Sequence, residues 1–248
     1  SGDEKTVRMW QSQTSEAGTV MAYSGGSPMQ YFPDVSGFVK IAAAGGTLSP
    51  KALLDVAESL KAARLVRQAV VTDRENTPLL TQLASHLNTH RELEETIFNA
   101  ILSEDEIADR ASPELYDIRR HLRLLADRMR EKLNAFLRGE QAKYLQDTII
   151  TQRNGRYVLP VKAECRANVP GLIHDQSASG ATLFIEPMAV VEAGNDLKQW
   201  AAKEEKEIER ILAALSAEVA PDAAFIANNL NILAELDMIF AKAVLGRQ

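Results

Sequence analysis

Apolar positions along the chain follow a helical period at both ends and a strand period in the middle. From Glu4 to about Tyr23 the pattern suits a helix, and the run Ser24-Gly25-Gly26-Ser27-Pro28 breaks it. Ser49-Pro50 starts the next helix, with serine as N-cap and proline in the first turn. Its stripe is Leu53, Leu54, Ala57, Leu60, Leu65 and Val66. Thr77-Pro78 opens a shorter helix with Leu79, Leu80, Leu83 and Leu87, and a helix from about His90 carries Leu93, Ile97 and Ile101. Ser112-Pro113-Glu114 repeats the serine–proline start. Behind it Leu115, Ile118, Leu122, Leu125, Met129 and Phe136 step by three and four, with Lys132 and Leu133 straddling the one irregular slot. At ~1.5 Å per residue, 112–138 spans about 40 Å. A second seam lies beyond Pro187, at Leu197, Ala201, Glu204, Ile208, Ile211 and Leu215. From Pro221 a broad apolar helix resumes with Ile226, Leu230, Leu233, Leu236, Phe240 and Val244, and is expected to pack on the first helical region.

Between the seams the period is two. Thr148–Arg153 and Arg156–Lys162 are rich in β-formers and joined by Asn154-Gly155, a pair suited to the two positive φ angles of a tight hairpin turn. Val169-Pro170-Gly171 makes another turn. Leu172–Gln176 and Thr182–Glu186 then form two further strands around Ser177-Ala178-Ser179-Gly180. The predicted fold is mainly α with a small β insertion: a helical core over 1–111 and 219–248, an antiparallel two-helix coiled coil over 112–138 and 187–218, and a roughly four-stranded antiparallel β unit over 139–186 at its tip.

Charge supports the helix pairing. Residues 112–138 hold seven Arg/Lys against four Asp/Glu, whereas 187–218 hold four against seven. Opposite signs beside two apolar seams favour association. The lever arginines Arg119, Arg120, Arg123, Arg128 and Arg130 are expected to divide between pairing with this acidic helix and solvation. Overall the net charge is −6, which argues against a globally basic nucleic-acid binder without excluding local basic surface. The single cysteine, Cys165, can form no internal disulfide, which fits a reducing cytoplasm. No run is read as approaching the roughly 18–20 apolar residues of a membrane span. The chain begins at Ser1-Gly2 and stops inside a helical pattern at Gly246-Arg247-Gln248, so it is expected to be a segment of a longer protein.

Candidate chemistry is sparse. There is no Gly-x-x-x-x-Gly-Lys-Ser/Thr phosphate loop, so ATP binding in that mode is not expected, and Gly45-Gly46 and Gly180 suit turns. His86 and His90 have a ligand-like spacing, but Asn88-Thr89 is expected to break the helix between them. His174-Asp175 suits a structural role better than catalysis. Ser177 and Ser179 lie too close along the chain to those two residues for triad geometry, which draws on separate segments. No catalytic or metal-ligating residue is therefore assigned. Over 139–186 the charges cancel, but Arg153 and Arg156 flank the Asn-Gly turn and are expected at its tip, with Lys162 and Arg166 as further candidates for nucleic-acid contact. Guanidinium groups suit this because their planar donor fork matches phosphate oxygens.

Two stretches carry a resemblance. Arg153-Asn154-Gly155-Arg156-Tyr157-Val158-Leu159-Pro160-Val161-Lys162 resembles the hairpin that opens the clamp of the second, recombination-suppressing branch of the bacterial MutS family. The run from His174 to Pro187, with Asp175, Ser177, Ser179, Gly180, Phe184 and Glu186, resembles that branch's signature, where these residues build the clamp. Ala111-Ser112-Pro113-Glu114-Leu115 and Ala234-Glu235-Leu236-Asp237 fall where the family has similar stretches. The resemblance implies that the coiled coil is a lever and the β unit a clamp. It implies a cytoplasmic, homodimeric parent whose further ATPase domain binds ATP and Mg, usually with a small nuclease module after it; this segment itself is expected to hold no cofactor. It also implies engagement of branched or recombining DNA, or alternatively of ribosomal RNA in splitting collided ribosomes. A protein-only coiled-coil scaffold is the third reading of the same residues, and no membrane partner is expected.

Overall fold

The computed structural model describes residues 2–246, so the chain ends noted at Ser1 and Arg247-Gln248 lie outside the described residues. Eight α-helices and six strands are found among them, confirming a mainly α fold with a small antiparallel β insertion. The chain divides into two compact units, one formed by Ser1–Ala111 with Glu209–Gln248, the other by Ser112–Ile208.

The first unit is helical. It contains α1 (Gly2–Ser24), α2 (Ser36–Ala43), α3 (Pro50–Val70), α4 (Pro78–Ser85) and α5 (Arg91–Ala100). Serine at 49 caps α3 as expected, its hydroxyl accepting from the Ala52 amide at 3.2 Å. Thr77 does not cap α4. Its hydroxyl donates backward to the Asp73 carbonyl at 2.6 Å and closes the preceding turn. The segment between α4 and α5 separates His86 from His90, and His90 instead pairs through Nδ1 with Asp222. Two elements carry too little periodic signal to be foreseen: the eight-residue α2, and the short hairpin of β1 (Ile101–Ser103) and β2 (Glu106–Ile107).

The core of this unit joins Ala62, Ala63, Val66 and Val70 of α3 to Leu80, Ala84 and Leu87 and to Ala17, Val20 and Met21 of α1. The last helix, α8 (Ala223–Leu245), closes it with Leu233, Leu236 and Phe240, as its apolar pattern leads one to expect. An 18-residue window within Met188–Leu245 reaches a mean hydropathy of 1.3. One helical stretch is thus apolar and long enough to cross a membrane by composition, which corrects the expectation that no run comes close. Arg64 of α3 reaches Glu94 of α5 with two bonds of 2.9 and 2.7 Å. That carboxylate, itself buried, raises the pKa of the Arg64 guanidinium above its ordinary value, chiefly through these hydrogen bonds.

The second unit holds α6 (Pro113–Arg138), the first part of α7 (Met188–Val219) and a four-stranded sheet. Ser112 caps α6 by accepting from the Leu115 amide at 2.9 Å, and its hydroxyl also donates to Glu207 of α7 at 2.7 Å. Further along, Arg119 pairs with Glu204 at 2.7 Å, and the His121 and Trp200 rings stack 4.3 Å apart. Rising numbers on α6 thus meet falling numbers on α7, so the two helices pair antiparallel. The seams differ in detail from the heptad expectation. Leu133, rather than Phe136, takes the fully buried slot, Ala201 is exposed, and Glu207 is buried where it meets Ser112.

Candidate functional site

The β unit is built on the Asn154-Gly155 turn. Both residues have positive φ, 54° and 75°, which lets β3 (Thr151–Arg153) return at once as β4 (Arg156–Lys162) with Arg153 opposite Arg156. The first strand begins three residues later than the β-former pattern suggests; β4 has its expected bounds. Next come β5 (Gly171–Gln176) and β6 (Thr182–Pro187), and the order across the antiparallel sheet is β3-β4-β6-β5. Leu159, Val161 and Ile185 pack with Leu145, Val169 and Val190, and with Met129 and Leu133 of α6, so the end of the helix pair supplies part of the sheet's core. Burying these side chains is what holds so small a sheet together.

Charged residues of the hairpin and of the 174–187 run meet around this core. Arg156 corrects the expectation that both arginines stand at the hairpin tip. It is 8% exposed and turned inward, donating from Nε and Nη2 to the two oxygens of Glu186 at 2.6 and 2.7 Å. Its Nη2 also donates to the Val191 carbonyl at 3.3 Å. Glu186 is wholly buried, and His174 Nε2 lies 3.4 Å from its Oε1. A buried carboxylate needs such partners, because transfer from water without them is strongly unfavourable. Gly194 of α7 makes room for the pair: a methyl group there would stand 2.9 Å from Glu186 Oε2 and 3.1 Å from the guanidinium.

Arg153 is held in a different way. Its Nε lies 3.2 Å from Asp175, its Nη1 donates to Gln152 O and Thr151 Oγ1, and its guanidinium lies 4.2 Å over the Phe184 ring. Asn154 donates to the His174 carbonyl at 3.2 Å. The hairpin tip is therefore fastened to the signature run. A bulge between Ile173 and Asp175 separates the neighbours His174 and Asp175, one serving Glu186 and the other Arg153. Ser177 and Ser179 shape the loop: Ser177 Oγ accepts from the Thr182 amide and Ser179 Oγ from the Ala181 amide, while Gly180 supplies a φ of 72°. Pro187 is buried at the end of β6, where Gly171 pairs opposite it.

The remaining cations face outward. Arg166 is exposed and makes one long contact, 3.5 Å, to the Gly171 carbonyl. Lys162 is half-buried, its Nζ donating to the Lys143 carbonyl at 3.2 Å, which brings it beside a fifth cation that the candidate set omits. Lys143 itself is exposed over the Tyr144 ring, in a short 3₁₀ turn whose irregular backbone leaves no periodic signal. Among the described residues no group of three or more His, Cys, Asp or Glu side chains converges to hold a metal ion.

No family model matches the chain. Individual relatives do. It is 48% identical over 242 residues, 97% of its length, to Endonuclease MutS2 of Symbiobacterium thermophilum. It is 44% identical over 243 residues to Endonuclease MutS2 of Alkaliphilus oremlandii, and 45% identical over 241 to that of a Geobacillus species. The chain spans about 30% of the length of these curated relatives.

Proposed function

Because this chain belongs, over the span it covers, to the MutS2 branch of the MutS family, we propose that it is the nucleic-acid-engaging segment of a MutS-like ATPase and endonuclease. In this reading α6 and α7 form a lever, the β unit is a clamp, and the whole cytoplasmic protein acts as a homodimer on branched DNA to restrain recombination. ATP and Mg belong to a further domain of that protein. The observation that carries the proposal is the β unit itself. It is seated on the paired helices by a shared core, its arginine–carboxylate network is turned inward, and Lys143, Lys162 and Arg166 remain toward solvent. A rigid tip with a few outward cations suits backbone contacts, which position a protein on nucleic acid without reading sequence.

The test is fluorescence anisotropy of this chain with a labelled four-way DNA junction across a salt series. Binding is expected to weaken with salt, and Lys162→Ala with Arg166→Ala to flatten the log–log salt slope by about two. Arg153 is left in place because Asp175 and Phe184 tie it to the fold. Absence of binding by the parent chain at low salt, or an unchanged slope in the double variant, would remove the β unit from DNA contact.

A further inference from the structure

The helical unit carries a second concentration of arginine that the clamp reading does not use. Arg64, Arg67, Gln68 and Val71 recur at helical spacing along α3 and its C-terminal end, so they share one face. That face, with Thr72 and Arg74 from the following turn and Thr89 from the segment before α5, lines a depression of about 400 Å³. Three guanidinium groups, two hydroxyls and one amide thus border a single hollow. No carboxylate is part of its lining. The comparison within the same unit is informative: the hollow bordered by Arg110 and Arg210 also includes Glu218, and the one at Lys51 includes Asp55, Glu58 and Glu104.

The neighbouring acids leave Arg67 and Arg74 unpaired. Glu94 receives both of its bonds from Arg64, Glu95 pairs with Arg91, and Asp73 accepts from the amide and side chain of Asn76. Glu75, beside Arg74, is exposed to water. Among the described residues Arg67 and Arg74 have no ion-pair partner, whereas Arg64 is already fixed in place by Glu94. The charge of Arg64 is offset by Glu94, but Arg67 and Arg74 repel one another, so an anion bound beside them gains attraction and relieves that repulsion. Thr72 Oγ1 already donates to the Gln68 carbonyl at 2.9 Å, so the Thr89 hydroxyl and the Gln68 amide are the donors that, beside arginine forks, match the oxygens of a phosphate group.

We infer that the hollow bordered by Arg64, Arg67 and Arg74 is a phosphate-binding site on the helical unit. A nucleic-acid backbone and the phosphates of a free nucleotide present the same oxygens, so both are probes. The substrate class rests in part on the nucleic-acid reading above, and the experiment keeps the two apart. The full chain, the double variant Arg67→Ala/Arg74→Ala and the β-unit variant Lys162→Ala/Arg166→Ala are each titrated with a labelled DNA oligonucleotide across a salt series. Pyrophosphate and ATP follow by calorimetry, with circular dichroism confirming that each variant is folded.

The site predicts that Arg67→Ala/Arg74→Ala flattens the oligonucleotide salt slope by about two, whatever the β-unit variant does. Arg67→Lys/Arg74→Lys retains most of that slope, because the charges remain while the forks are lost. If pyrophosphate or ATP binds, and binding is lost in Arg67→Ala/Arg74→Ala alone, a free nucleotide is the source of the phosphate. A change confined to the α3 variant upholds this site and removes the clamp from DNA contact; a change confined to the β-unit variant does the reverse. The inference is overturned if the α3 variant binds every probe as the parent chain does, or if the parent chain binds none at low salt.

Discussion

The two units bury charge in different amounts and for different ends. In the β unit a wholly buried Glu186 is matched by an Arg156 that is itself 8% exposed, with His174 alongside, and these three residues join β4, β5 and β6. In the helical unit the comparable pair, Arg64 and Glu94, joins α3 to α5 with the arginine side chain still 27% exposed. Most of that unit's interior is Ala, Val, Leu and Ile packed between helices. A sheet of short strands has little apolar area to fix the register of its hairpin. The inward ion pair supplies direction where apolar packing alone is permissive, at the cost of taking two charges out of water. The helical unit has a larger apolar interface and needs less of this.

The contrast breaks most visibly if Glu186 is left without its partner. Arg156→Met strands a buried carboxylate, and the unit that contains it should lose about 3–5 kcal/mol of stability. The two tryptophans separate the readout, since Trp10 lies on α1 and Trp200 on the part of α7 that stacks against His121. With each tryptophan alone in turn, urea unfolding should shift for Trp200 more than for Trp10; equal shifts would mean the two units do not differ as described. Gly171→Ala is the next largest. A methyl group there would meet the Glu186 carbonyl at 2.2 Å and Ile185 Cγ2 at 2.7 Å, so the β5–β6 pairing must move, costing about 1–3 kcal/mol. Its effect should again fall on the Trp200 transition. The smallest is Arg64→Met, which leaves the buried Glu94 unpaired, but at a position where water can take the place of an arginine side chain that is 27% exposed, so roughly 1 kcal/mol is expected, between exposed and buried cases. A loss in the Trp10 transition as large as that from Arg156→Met in the Trp200 transition would erase the contrast.

Much of the architecture is legible in the sequence because it rests on local signals. Ser49-Pro50 and Ser112-Pro113 start helices where the structure has them, since a serine hydroxyl and a proline ring act on the first turn alone. Asn154-Gly155 turns the hairpin because few other pairs tolerate two positive φ angles. The antiparallel helix pair follows from two seams of opposite flanking charge. The candidate site is less legible. Spacing places Arg153 and Arg156 symmetrically about a turn, and nothing local distinguishes them. The structure gives Arg153 to Asp175 and Phe184 at the surface and draws Arg156 to Glu186 inside, through partners 22 to 31 residues away for one and 30 for the other.

What the sequence by itself determined, then, is the period of each element, the turns between them and the bracketing of a small β unit by two helical seams. These depend on backbone geometry and on side chains within a few positions of one another. Tertiary structure decided which side chains turn inward: that Glu207 enters the seam to meet Ser112, that Leu133 displaces Phe136 from the buried slot, and that the 174–187 run serves as the inner fastening of the hairpin. It also decided that Arg64, Arg67 and Arg74 border one hollow with Thr89, which a helical period alone does not predict. The reason is that a charge is placed by the competition between hydration and a partner, and the partner comes from a distant part of the chain.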